Sequence, residues 1–212
     1  MANDSGGAGA LPAAPNTKIL QIGEPLLRSP ARALSSDEIR SPKIQDLVLR
    51  MQATMREAPG VGLAAPQIGE PLQLAVIEDR AEYFEGASAE WLAERERSIV
   101  PFYVLANPRL SVISEGPVEF FEGCLSVAGF IALVRRARAV RVDFLNERAE
   151  PMVIEARGWH ARILQHEIDH LHGCLYVDRM EPRSFTSTAN YTRHWKNFST
   201  AAVRQALGLE TK

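Results

Sequence analysis

Apolar positions along this chain follow a helical spacing of three and four near the start and again around His166, with short extended runs between. From Lys43 to Glu57, Ile44, Leu47, Val48, Met51 and Met55 predict an N-terminal amphipathic helix, stopped by Pro59-Gly60. Leu72 to Ile77 is short, apolar and bounded by Pro71 and by Glu78-Asp79, which predicts a strand. Ser88 to Arg97 reads as a short charged helix or an excursion around Trp91, with nothing in it that suggests chemistry. Val100 to Ala106, Leu110 to Ser114, Val118 to Phe121, Ala139 to Leu145 and Pro151 to Ala156 are extended candidates separated by Gly, Pro or Asn. A second long helix is expected from about Trp159 to His172, closed by Gly173. A C-terminal helix is expected from about Thr188 to Leu207, on Tyr191, Trp195, Phe198, Ala202 and Ala206. Helices and strands are segregated rather than alternating. The expected class is therefore α+β, with antiparallel sheets packed around the central second helix.

Composition narrows this only a little. With 212 residues, 46% apolar and 24% charged, the chain suits one globular domain with a real core. A formal net charge of -2 points to no nucleic-acid partner. The one dense basic cluster, Arg135-Arg136-Ala137-Arg138 with Arg141, lies among apolar residues and reads as a strand with one solvated face. Two cysteines, Cys124 and Cys174, are too few to staple a secreted chain of this size, which favours a reducing cytosol. Residues 1–18 are rich in Ala, Gly, Pro and Ser and read as a disordered tail without signal- or transit-peptide composition, leaving 19–212 as one domain. No stretch of 18 apolar residues suggests a membrane-spanning helix.

The strongest chemical signal is His166-Glu167-Ile168-Asp169-His170. Histidines four apart on a helix share a face and meet one metal ion, and a glutamate beside the first reaches a water at that ion. Two histidines are too few for a catalytic site, so a third ligand is needed. Tyr176 stands where a metzincin would place its third histidine, and Asp178 and Glu181 lie in a short segment before Pro182. Upstream, Cys124 in Glu122-Gly123-Cys124-Leu125-Ser126 offers a soft thiolate, or is a small buried residue. Gly60 to Gln67, with small residues and a single polar side chain at its end, suits either a ligand lying along exposed backbone or tight packing.

Taken in order, these three stretches resemble the peptide deformylase family, whose pattern GφGφAAxQ, EGCφS and HEφDH is met by Gly60 to Gln67, Glu122 to Ser126 and His166 to His170. The likeness runs from about Ile19 to Met180, and Ser126 to Ile131 and Gly158 to Ile163 are similar to the branch that includes organellar members. The resemblance implies a metal-dependent hydrolase that removes the N-formyl group from the initiating methionine of nascent chains, at the ribosome, with no membrane partner. It assigns Cys124, His166 and His170 to one divalent metal, ferrous iron being expected and zinc, nickel or cobalt able to substitute. Glu167 becomes the general acid/base, and the Gln67 side chain and Leu125 backbone N–H the donors to the oxyanion.

By the same likeness Val61, Phe120, Trp159 and Ile163 line the methionine pocket, and Val61, Gly62 and Gly123 offer backbone to an extended peptide. Glu122 and Asp169 are candidates to hold the second N–H of a ligating histidine, and Arg136 matches a family arginine that would pair with Asp169. The expected location is the bacterial cytoplasm, or an organellar matrix or stroma if a leader has been removed. The competing readings are a zinc endopeptidase sharing the helix and a metal- or peptide-binding module without catalysis. Glu167 and Gln67 argue against the module, since neither is needed merely to hold metal.

Overall fold

The computed structural model describes residues 17–114 and 116–209. All but the last two residues of the expected N-terminal tail lie outside that range. In chain order the elements are α1 (Ser36–Arg40), α2 (Pro42–Glu57), β1 (Gly62–Ala64), β2 (Leu74–Asp79), α3 (Ala89–Glu94), β3 (Val100–Val112), β4 (Pro117–Gly123), β5 (Phe130–Ala137), β6 (Ala139–Leu145), β7 (Pro151–Arg157), α4 (Gly158–Leu171), β8 (Thr186–Ser187), α5 (Thr188–His194) and α6 (Thr200–Ala206). The strands form a five-stranded sheet of order β1-β2-β3-β6-β7 and a three-stranded sheet of order β4-β5-β8, with antiparallel pairing throughout.

At β1 and β2 the larger sheet is covered on both faces, and this explains the unbroken apolar run of β2. Ala75 and Ile77 face the cluster that holds Ala161, Leu164, Ile168 and Leu171 of α4. Leu74 and Val76 face the cluster that holds Leu47, Val48, Met51 and Met55 of α2. A strand covered on both sides loses the alternation of a half-solvated one. Helix α4 runs along the sheet and ends at His172, with Gly173 at φ 74, a left-handed conformation that glycine adopts without strain.

Three local differences from the sequence reading have physical causes. The two segments expected on either side of Asn107-Pro108 are one strand, β3, because a register shift between Ala106 and Arg109 absorbs the interruption as a bulge. The single C-terminal helix is two: α5 closes at Trp195, and the Ser199 hydroxyl caps α6 by accepting from the Ala202 N–H, so a helix start interrupts the periodic pattern. Of the basic cluster, Arg135 and Arg136 lie on β5, where Arg135 faces solvent while Arg136 is 4% exposed; Arg138 is exposed just past that strand and Arg141 lies on β6. The short strands β1 and β8 had no periodic signal to reveal them.

Candidate active site

Helix α4 and the turn after β4 bring the chemistry together. The Cys124 Sγ and the ring nitrogens of His166 and His170 lie within 4.8 Å of one another. The imidazoles stand edge to face with centroids 5.0 Å apart, and His170 Nε2 is 3.3 Å from the sulfur. His166 Nδ1 meets Glu122 Oε2 at 3.1 Å, which turns its Nε2 toward the other two donors. The sulfur also accepts from the Ser126 N–H at 3.3 Å and from Gln67 Nε2 at 3.6 Å.

The supporting shell is a buried ion network. Glu122, 5% exposed, receives Arg136 Nε and Nη2 at 3.0 Å each, Arg162 Nη1 at 2.6 Å and His166. Burial alone would raise its pKa, yet the His166 hydrogen bond and the Arg136 charge outweigh burial and hold the carboxyl well below the usual carboxylate range. Arg136 also reaches Asp169, which Arg179 grips through Nε at 2.7 Å and Nη2 at 2.8 Å. Asp169 therefore braces Arg136, and among the described residues Glu122 is the carboxylate on a clustered histidine. Arg162 and Arg179 went unread in the sequence. Arg162 stands one turn before His166, a spacing that could have drawn it in.

Glu167 is 4% exposed, and its Oε2 has no hydrogen-bond partner. Burial pushes its pKa up to about 7, where a carboxyl exchanges protons readily at neutral pH. Gln67, 2% exposed, is fixed at both ends of its amide: Oε1 accepts from the Ala64 N–H at 2.8 Å, and Nε2 donates to Ser126 Oγ at 3.2 Å. Its donor end therefore faces the sulfur and the cavity beyond.

That cavity is about 290 Å³, and Gln67, Cys124, Leu125, His166 and Glu167 all line it. Val61, Gly62, Gly123, Trp159 and Ile163 line it as well. Phe120 is outside the lining; it lies behind, with the guanidinium carbons of Arg95 at 4.6 Å and Arg162 at 5.2 Å from its ring centre. Phe130 and Thr188 also line the wall, and the sequence reading had singled out neither as a site residue. One thiolate and two imidazoles suit a single divalent ion in a four-coordinate site with one position open, and a buried carboxyl stands on the next residue of the same helix. The pull of Cys124 and Glu122 on His166, which raises its pKa well above the usual value against burial, marks a place where a cation fits in exchange for a proton.

The arrangement is that of a single-metal hydrolytic centre. Comparison narrows the class: residues 16–185 match the polypeptide deformylase family, and the chain belongs to it. It is 45% identical to the chloroplastic peptide deformylase 1A of Solanum lycopersicum over 81% of this chain and 62% of that protein. It is 40% identical to the mitochondrial peptide deformylase of Homo sapiens over 83% of this chain and 72% of that protein. The chain thus spans a little under two thirds of the tomato relative. Among solved structures, a Met-Ala-Ser-bound class I type b peptide deformylase from Acinetobacter baumannii superposes with a TM-score of 0.68 at 32% identity, covering 77% of this chain and 97% of that one. An actinonin complex of a Synechococcus elongatus peptide deformylase gives a TM-score of 0.66 at 32% identity, covering 95% and 97%. The family is metal-dependent, and the relatives include bacterial, chloroplastic and mitochondrial proteins. No helix among the described residues is long and apolar enough to cross a membrane.

Proposed function

We propose that this chain hydrolyses the N-formyl group of formyl-methionyl peptides, releasing formate and a free N-terminus. The observation that carries this is the buried Glu167 carboxyl beside the Cys124, His166 and His170 donors, in a cavity that Gln67 also lines. Residues 19–212 act as one catalytic domain, its antiparallel sheets arranged about α4. Cys124, His166 and His170 would hold the ion, ferrous iron natively with zinc, nickel or cobalt as substitutes, and Glu122 would orient the His166 ring. A bound divalent ion supplies Lewis acidity, lowering the pKa of water toward about 7 and polarising a carbonyl oxygen.

The chain's own groups then account for proton and charge. Glu167 accepts the proton of the attacking water on its unpartnered Oε2 and delivers it to the departing amine, which leaves poorly as an anion. Gln67 Nε2 and the Leu125 N–H donate to the carbonyl oxygen as it becomes negative. Glu167 stands so close to the Gly62 backbone that a Cβ there would fall 2.3 Å from its Oε1, a crowding that favours a formyl carbon, which bears only hydrogen, over acetyl. Trp159 and Ile163, four apart on α4, present one apolar face to the methionine side chain. Val61, Gly62 and Gly123 offer backbone to an extended peptide. The natural substrates proposed, by the family likeness, are nascent chains at the ribosome. The working location is the bacterial cytoplasm, or a matrix or stroma for an imported form.

The test compares formyl-Met-Ala-Ser, acetyl-Met-Ala-Ser and an end-blocked peptide with internal methionine, using nickel-loaded protein. Turnover of the formyl peptide alone is expected. Internal cleavage would make the chain an endopeptidase, and tight binding without turnover would make it a peptide-binding module.

A further inference from the structure

One buried charge pair lies outside the centre just described. Asp79, fully buried at the end of β2, receives Arg97 Nε at 2.8 Å and Nη2 at 2.9 Å, and the two side chains are only 1% and 10% exposed. Taking both charges out of water offsets much of their attraction, so net stability is a weak reason for such a pair. What the pair does fix is the place of the guanidinium, whose carbon lies 5.3 Å from the Trp159 ring centre, 5.7 Å from Trp91 and 5.0 Å from Phe84. Planar guanidinium stacks on aromatic faces in a way a lysine does not reproduce.

The rest of this segment presses on the same point. The Trp91 and Trp159 ring centres stand 6.4 Å apart, and the Trp159 backbone N–H donates to the Arg95 carbonyl at 2.8 Å. At Gly158, with φ 56, an added Cβ would come within 2.4 Å of Glu96 Cβ and 2.5 Å of the Arg95 oxygen, so only glycine admits so close an approach. Trp159 lines the cavity one turn before Ile163 on the helix that carries Glu167.

We propose that residues 80–97 form the outer support of the pocket for the substrate's first side chain, with Asp79 and Arg97 as positioning residues that hold Trp159 in place and so favour a long unbranched apolar side chain over an aromatic one. This rests on the deformylase reading. The experiment uses the full nickel-loaded chain and its R97K and W91A variants, with formyl-Met-Ala-Ser, formyl-norleucyl-Ala-Ser and formyl-Phe-Ala-Ser as substrates. R97K keeps a charge opposite Asp79 but loses the stack. W91A leaves the ion pair whole, and so reads the wall if the charge variant proves unstable. Both are expected to raise KM for the methionyl peptide about tenfold, leave kcat within about twofold, and narrow the methionyl-over-phenylalanyl ratio of kcat/KM at least about threefold. A uniform fall in kcat with that ratio unchanged, or no change at all, overturns the inference. Wild-type protein that turns over none of the formyl peptides overturns the deformylase reading, and this inference with it.

Discussion

Replacing Gly62 by alanine should disable the enzyme without unfolding it. Gly62 does not sit at a positive φ, so its backbone accepts alanine without strain. Its Cβ, however, would fall 2.3 Å from Glu167 Oε1, 2.6 Å from Cδ and 2.7 Å from Cγ. Contacts between carbons relax to about 3.5 Å, so the carboxyl must retreat by about 1 Å. Glu167 is 4% exposed, and helix α4 behind it is packed against the sheet, so the retreat is into the cavity. A misplacement of that size in a reacting group costs about a hundredfold, or about 2.7 kcal/mol of barrier. Cys124, His166 and His170 are untouched, so metal content should match wild type. Steady-state kinetics on formyl-Met-Ala-Ser, metal analysis and a thermal melt separate the possibilities. A metal-loaded variant with kcat within threefold of wild type would show that the Glu167 carboxyl, in this position, does not move the proton.

Four further outcomes are expected. Cys124→Ser should lose metal affinity or change metal preference, since a hydroxyl is a far poorer soft ligand than a thiolate; metal titration reads it. Gln67→Leu should lower kcat by about 2.7–4 kcal/mol worth of rate with little change in KM. The same substitution strands the Ala64 N–H, which Gln67 Oε1 satisfies at 2.8 Å, so a melt should show a separate loss of about 1–3 kcal/mol. Iron-loaded protein should lose activity in air and nickel-loaded protein should not; equal lifetimes would exclude oxidation at the Cys124 centre as the cause of decay. Glu78→Gln should cost about 1 kcal/mol at pH 7, because the paired Arg56 is partly exposed. The Arg56 hydrogen bond holds the Glu78 pKa below its ordinary value, so this stabilisation is full above about pH 5 and fades as pH falls through the folded value. Melts of both proteins should therefore converge in acid.

Helical spacing in the sequence located α2 and α4, and short extended runs bounded by breakers located β2, β6 and β7, because each of these signals is continuous along the chain. It failed where the decisive interaction is distant. Asn107-Pro108 reads as a turn by local preference, yet pairing with β6 carries the strand past it. The apolar positions from Tyr191 to Ala206 keep helical spacing, yet α5 closes at Trp195 and α6 starts only at the Ser199 cap, because a side-chain cap sets a helix start that spacing alone does not reveal.

The site divides along the same line. His166, Glu167 and His170 are legible because their relation is one helical turn, a distance the chain itself fixes. Cys124 lies 46 residues from His170, and spacing alone left it among several candidates for third ligand; the family pattern chose it, and the fold brings the sulfur within 3.3 Å. Arg136 was hardest to read. A run of arginines on a strand implies a solvated face, but alternation sends neighbours to opposite sides, and the inward one is tolerated because Glu122 and Asp169 await it from two other elements. Asp79 and Arg97 follow the same logic outside the catalytic centre: 18 residues apart, with no motif joining them, they are related only through the aromatic cluster that their pairing organises. Residues that touch the reacting atoms leave short-range signatures, whereas residues that hold them in place are tied to the site through three-dimensional contacts that one sequence does not display.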